Sequence, residues 1–268
     1  MRVSPAERTM NYVVLAAFAV FALFPVVTIL RDAFSPRIGV SGGIHPENLI
    51  DAWRIGGFGA SLGNSLVVAL IVVVVSVALS LGTGYAFGTM RFPGSRVLFP
   101  LFLLGLMIPA EAIVIPLFYD LRTVGLTDTY AAIALPQIAQ SIAFGTFWMR
   151  AQFRALPQSL VEASALDGAG PLRTLVRILV PASRPAIVTL VVLVGLWTWN
   201  EFLIALVMTP SGRHRTAPLG LANFQGQYTA DNALLAAGAI IVAAPMLILF
   251  LVLQRHFIRG MIDGASKE

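Results

Sequence analysis

Six apolar stretches divide the chain, Val13 to Leu30, Leu66 to Met90, Val97 to Phe118, Ala131 to Met149, Ala186 to Met208 and Ala233 to Leu253. Each is long enough to cross a bilayer, and each reads as a helix, because a spanning segment must satisfy its own backbone hydrogen bonds. The pattern predicts an all-α integral membrane protein with six transmembrane helices. Its membrane core, residues 11–253, would form a single transmembrane domain between an N-terminal segment, 1–10, and a tail, 254–268. The first stretch follows Arg2 and Arg8, as the apolar part of a signal peptide would. Its length of about 18 residues and the lack of a small-residue cleavage site make it a span instead.

Composition narrows the class. Of 268 residues, 57% are hydrophobic and 12% charged, about half the roughly 25% of a soluble domain. With a mean hydropathy of +0.84, a soluble fold is excluded. Six spans of about 20 residues leave too little chain for a large extramembrane domain. The net charge of +5 comes almost wholly from arginine, Lys267 being the only lysine. In such a protein the excess reports loop orientation rather than nucleic-acid binding. The segments 1–10, 91–96, 150–185 and 254–268 carry twelve basic residues, and the segments on the other side carry six. The first set is therefore expected in the cytoplasm, with both termini, in a multi-pass protein of the cell (inner) membrane.

Several chemistries drop out. There is no cysteine, so disulfides, thiolate metal sites and cysteine nucleophiles are excluded. His45, His214 and His256 lie far apart in expected loops or tail and suggest no metal site. No G-x-x-x-x-G-K-[ST] occurs, so the chain lacks a P-loop of its own. Gly82-Thr83-Gly84 lies inside an apolar span and is no dinucleotide fingerprint. No span pairs a nucleophile with a general base, which argues against an enzyme.

The segment 150–185 reads as structure. Pro157 suits a first helical turn, and Gly168 after Asp167 suits a C-terminal cap. From Pro171 a second helix is expected, with Leu172, Leu175, Val176 and Leu179 on one face and Arg173 and Arg177 on the other, closed by Pro181 and Pro185. Two short helices on an inward loop are a docking device; the alternative is an amphipathic helix lying on the membrane surface.

The run Glu162-Ala163-Ser164-Ala165-Leu166-Asp167-Gly168-Ala169, followed by Ile178-Leu179-Val180-Pro181, resembles the EAA loop of the permease subunits of ATP-binding-cassette (ABC) importers. Ser164 stands where the family pattern has a second Ala, and Val180 where it has Leu before Pro181. The resemblance implies that this cytoplasmic loop between helices 4 and 5 forms coupling helices. Glu162, Ala163, Ser164, Asp167, Gly168 and Pro181 would meet a groove of a cytoplasmic ATPase.

A second resemblance is to carbohydrate-uptake permeases of the maltose type. It rests on Trp197-Thr198-Trp199-Asn200-Glu201-Phe202, with Asn64-Ser65, Met107-Ile108-Pro109, Ile115-Pro116-Leu117 and Gly125-Leu126-x-Asp128-Thr129-Tyr130. Together they cover essentially the whole chain. The resemblance implies an importer in which an extracytoplasmic binding protein delivers a sugar. Two permease subunits would enclose the path, and an ABC ATPase dimer would supply ATP and Mg, with no cofactor on this chain. A short form without an extra N-terminal span implies a different permease as partner. The tail, with Arg255, Phe257, Arg259-Gly260 and Gly264-Ala265, resembles tails of the same class. It would reach the ATPase or rest on anionic lipid heads.

Ionisable groups within spans are functional hypotheses by default. Glu201, with Asn200, reads either as part of a translocation path or as helix packing. Glu111, between Pro109 and Pro116, reads as part of a kink or as a substrate contact. Gly84-x-x-x-Gly88 permits close helix packing. Other readings kept open are an ABC permease for a polyamine or a phosphorylated polyol, and a secondary transporter using Glu111 and Glu201.

Overall fold

The structure is a computed structural model that describes residues 4–37, 39, 42–226 and 231–265. Arg2 and Lys267 lie outside the described residues. The chain runs through α1 (Pro5–Ala33), α2 (Glu47–Ile55), α3 (Phe58–Thr89), α4 (Ser95–Met107), α5 (Ala110–Thr123), α6 (Tyr130–Ala155), α7 (Gln158–Leu166) and α8 (Pro171–Thr174). A π-helical turn at Leu175–Leu179 leads to α9 (Val180–Ala182), then α10 (Arg184–Asn200), α11 (Leu203–Met208), α12 (Ala217–Gly220), a 3-10 turn at Leu221–Phe224, and α13 (Asn232–Ala265). The fold is all-α, and all six expected spans fall on helices.

The spans differ in how they cross. Among the described residues, α1, α3 and α13 are long and apolar enough to cross a membrane, and the number reaches five if each of two bent pairs is one span. The third expected span is broken between α4 and α5, which meet at 96°. Pro109 leaves the helix there and caps α5 in extended geometry. The fifth span is broken between Asn200 and Leu203. The fourth, α6, is 26 residues long but carries Gln137, Gln140 and Ser141, and twelve of its positions are buried. Residues 254–265 continue α13 rather than forming a separate tail. The side-chain pattern expected there, Arg255, Phe257 and Arg259, lies outside the described side chains.

The chain forms two compact units, Met1–Gly59 with Gly220–Pro245, and Ala60–Leu219 with Met246–Glu268. In the first, α1 opens with a capping box in which Ser4 and Glu7 satisfy each other's backbone N–H groups. The helix α2 was not expected from the sequence. It is tied down by the buried Asn48, whose Nδ2 donates to the carbonyls of Ala33 and Ser35 at 3.0 and 2.9 Å. Arg37 pairs with Asp51 at 3.2 Å and with Asp231 at 2.9 Å. Asp231 also accepts from the Leu234 amide, capping the start of α13.

In the second unit the core lies where α3, α6 and α10 meet, filled by Val68, Val72, Ile133, Met149, Leu190 and Val194. The contact between α3 and α6 rests on small residues four apart, Ser80, Gly84 and Gly88. A Cβ on Gly84 would sit 2.6 Å from Met149 Cβ and 3.1 Å from the Arg150 amide nitrogen, so the backbones approach as only glycine allows. Thr83 and Thr146 share a 2.6 Å hydroxyl bond across the same seam.

At one end of this unit three motifs distant in sequence meet. Asn64 Oδ1 accepts from the Tyr130 hydroxyl at 2.7 Å, and its Nδ2 donates to the Arg215 carbonyl at 2.9 Å. Ser65 Oγ accepts from the Ala217 amide at 2.8 Å. Asp128 adopts φ +59° and accepts from both the amide and the hydroxyl of Ser211. His214, expected in a solvated loop, is half-buried with its ring 4.5 Å from that of Tyr130.

Candidate functional site

Two regions of the second unit carry the residues singled out from the sequence. The first is the segment from Pro157 to Ser183. Pro157 precedes α7 as its N-cap, one residue earlier than a first-turn proline. At the other end the Gly168 amide donates to the Ala165 carbonyl and the Ala169 amide to the Ser164 carbonyl, at 3.1 and 2.9 Å. This is a complete Schellman motif, and it requires the left-handed φ of +73° at Gly168.

Ser164 is 3% exposed, and its Oγ lies 3.0 Å from Oγ1 of Thr174, itself buried. The Ser164 hydroxyl also donates to the Val161 carbonyl at 2.7 Å and the Thr174 hydroxyl to the Gly170 carbonyl at 3.3 Å, so either hydroxyl can supply the proton between them. Sequence reasoning passed over Thr174; a lone threonine on the polar side of an apolar stripe gives no signal until its partner is seen.

The second helix differs from its expected form. Its inward residues are Thr174, Leu175 and Leu179, while Leu172 and Val176 are 73% and 55% exposed. Two causes act together: the Ser164 bond draws Thr174 inward, and a π turn replaces regular α-helix over Leu175–Leu179. Pro181 does not end the helix but sits at the start of α9, and the axis then turns by 85° at Ser183 into α10. Glu162, Ala163, Asp167 and the 89%-exposed Leu166 all lie on the surface, with Arg173 and Arg177. The segment therefore presents apolar side chains, two acids and two arginines outward from a rigidly capped turn.

The second region is a cavity of about 320 Å³ beside the two broken spans, whose lining includes Glu111, Gln137, Gln140, Ser141, Trp197 and Glu201. Glu111 stands in the first turn of α5, where the exposed N–H groups and the dipole favour a carboxylate. Glu201 terminates α10, and its Oε1 accepts from the Ile204 amide at 2.8 Å, capping α11. Trp197 packs edge-on against Phe144 with centroids 4.8 Å apart. Asn200 is not brought to this cavity; it is exposed, and its Nδ2 donates back to the Leu196 carbonyl at 2.8 Å. Gln137, Gln140 and Ser141 were missed in the sequence, although their i, i+3, i+4 spacing on one face of an otherwise apolar span is a readable signal. Among the described residues, no basic side chain lines the cavity. An aromatic face, amides, a hydroxyl and two carboxylates are groups that stack against and hydrogen-bond a polyhydroxylated ring.

The family described as "Binding-protein-dependent transport system inner membrane component" matches residues 76–263. The chain is 34% identical over 271 residues to the trehalose transport system permease protein SugB of Mycobacterium tuberculosis, covering 98% of this chain and 99% of the relative. It is 35% identical over 212 residues to the trehalose/maltose transport system permease protein MalG of Thermococcus litoralis, covering 78% and 76%. Among solved structures, the fold is similar to a chain of a bacterial ABC transporter involved in the import of the acidic polysaccharide alginate. The TM-score is 0.81 at 22% identity, over 96% of this chain and 99% of that one.

Proposed function

The chain belongs to the family of binding-protein-dependent transport system inner membrane components, and from that premise we propose that it is one membrane-spanning half of an ATP-driven importer of a mono- or oligosaccharide. An extracytoplasmic binding protein delivers the sugar, a second permease chain completes the path, and a cytoplasmic ATPase dimer binds ATP and Mg. The chain acts as a single transmembrane domain with both termini in the cytoplasm, the orientation favoured by its arginine distribution.

The observation that carries this reading is the surface of the segment from Pro157 to Ser183. Leu166, Leu172 and Val176 stay exposed on a turn that is otherwise capped and internally hydrogen-bonded. Such a surface is built for a partner. ATP binding would close the ATPases around Glu162, Ala163, Asp167 and Gly168, and the rigid cap would pass the movement through the 85° turn at Ser183 into α10. That helix ends at Asn200 with Glu201 as its C-cap, so the movement reaches the cavity lined by Glu201 and Glu111. Alternation between outward and inward openings then needs no covalent step in this chain.

The names of the trehalose and maltose relatives support a sugar. The two carboxylates in a cavity without a basic residue favour a polyamine as the second reading, and they argue against a phosphorylated polyol. The deciding experiment is to tag the C-terminus, solubilise gently and identify co-purifying subunits by mass spectrometry. Uptake of labelled trehalose, maltose and putrescine into vesicles then follows. A P-loop ATPase with ATP-dependent sugar uptake supports the proposal; a chain that purifies alone and moves solute down an ion gradient sinks it.

A further inference from the structure

A second cavity of the second unit, about 740 Å³, lies apart from the one lined by Glu111 and Glu201, between the end of α3, the start of α4, the end of α6 and α7. Its charged lining consists of four arginines, Arg91, Arg96, Arg150 and Arg154, against one acid, Glu162. Among the described residues none of the four arginines has a carboxylate within ion-pair distance. Arg150 is held in place without being neutralised: its Nε donates to the Phe87 carbonyl at 3.2 Å, and its guanidinium lies 3.8 Å over the Phe99 ring. Four guanidinium groups lining one concave, partly apolar site give it a positive potential, and an anion bound there is attracted to it.

The walls say which kind of anion. The cavity sits where three apolar segments meet their polar connections, the depth of a lipid headgroup. One wall is α4, on which no residue is buried and Val97, Leu98 and Leu101 face outward. A free phosphate would use only the arginines, whereas an amphiphile uses both features, with its head among the guanidiniums and its chains along α4. Arginine matches phosphate oxygens in a planar, bidentate way that a flexible lysine does not.

We infer that this cavity binds the headgroup of an anionic glycerophospholipid, wedged between the α3–α4 turn and α7. Because α7 forms one wall, the lipid braces the capped turn that precedes Gly168. The inference goes beyond the importer reading and is tested by lipid binding, so its failure leaves that reading untouched.

The test uses the full chain with its co-purifying subunits in a nonionic detergent. Native mass spectrometry would follow titration with dioleoyl phosphatidylglycerol, with dioleoyl phosphatidylcholine, and with phosphatidylglycerol in the presence of millimolar inorganic phosphate. Phosphatidylglycerol is expected to bind in preference to phosphatidylcholine and to resist phosphate. The double variant R96Q/R154Q is expected to bind it about thirtyfold more weakly, R96K/R154K to lose only a few-fold, and R122Q, on α5 outside the cavity, to bind normally. Arg91, Arg96 and Arg154 are exposed, and R91Q provides a single-charge variant of the cavity if the double variant elutes as aggregate. Equal binding of the two lipids, or wild-type affinity in both R96Q/R154Q and R91Q, overturns the inference. So does displacement by inorganic phosphate, which would assign the site to a free phosphate, or loss of bound lipid whenever the ATPase is present, which would assign it to an acidic partner segment.

Discussion

The hydroxyls of Ser164 and Thr174 lie 3.0 Å apart, both buried, and join the two short helices on either side of Gly168. Ser164 replaces the second Ala of the EAA pattern, so this chain adds a polar clasp where the pattern has only small apolar contact. The clasp fixes which face of the second helix turns inward, and thereby which apolar side chains remain outside for a partner.

The clasp can be measured by a double-mutant cycle. Thr174→Val and Ser164→Ala should each lower stability by about 1 kcal/mol, since each removes the bond between the two buried hydroxyls and leaves the other only its backbone carbonyl acceptor. The double variant should cost about as much as either alone rather than their sum. Thermal unfolding in detergent reports the cycle; strict additivity would mean that the two hydroxyls do not interact.

Gly168→Ala tests the cap. Nothing lies within 4 Å of the added Cβ, so the cost is the left-handed backbone alone, about 1 kcal/mol. Gly168→Asn should cost less, because asparagine tolerates that conformation. ATP-driven uptake should fall in the order wild type, Asn, Ala, and both Gly168→Pro and Glu162→Lys should abolish it while leaving the chain in the membrane. Normal uptake by these last two would remove the coupling role.

Glu201 has two separable duties. Glu201→Ala removes the cap on α11 and should destabilise by about 1 kcal/mol. Glu201→Gln keeps an acceptor for the Ile204 amide but removes the charge from the cavity, so it should preserve stability and change the uptake KM. Unaltered kinetics in Glu201→Gln would leave Glu201 as a capping residue only.

The seam between α3 and α6 predicts a contrast between neighbouring glycines. Gly84→Ala should destabilise by about 1–3 kcal/mol, because its Cβ meets Met149 Cβ and the backbone of Arg150. Gly88→Ala, whose Cβ would lie 3.4 Å from its nearest neighbours, should cost much less. Equal melting temperatures for the two variants would contradict the packing described.

A pH effect is expected in the connection between α1 and α2. The hydrogen bond that His45 Nδ1 donates to the Glu47 carboxylate at 2.7 Å raises the histidine above its ordinary value. The Glu47 carboxyl is lowered, first by its own backbone N–H and then by His45. The histidine's contribution is complete below the ordinary histidine pKa and is lost as pH rises through the raised one. That of Glu47 is present above the ordinary glutamate pKa and is lost as pH falls through the lowered one. The pair is therefore intact in mildly acidic solution. Titration of His45 by NMR should show its pKa falling in Glu47→Gln, and no change would exclude the pair.

What the sequence by itself determined was the class and the hardware of the chain. Apolar runs can only be membrane helices when charge is so scarce, and the glycine after Asp167 can only end a helix, because local energetics leave no alternative. The EAA pattern marked the segment proposed to couple to the ATPase, the Trp-Asn-Glu-Phe signature marked Glu201, and a charge inside an apolar span marked Glu111. The tertiary structure decided which residues share a site. The breaks at Pro109 and at Glu201 bring Glu111 and Glu201 to one cavity with Gln137 and Ser141 of α6, while Asn200, adjacent in sequence, faces elsewhere. Thr174 faces inward although it is polar, and Leu172 faces outward although it is apolar, because a hydrogen bond across ten residues outweighs the local stripe. Periodicity records only how each helix is striped. Where helices bend, and which hydroxyl finds a partner, depends on atoms distant along the chain.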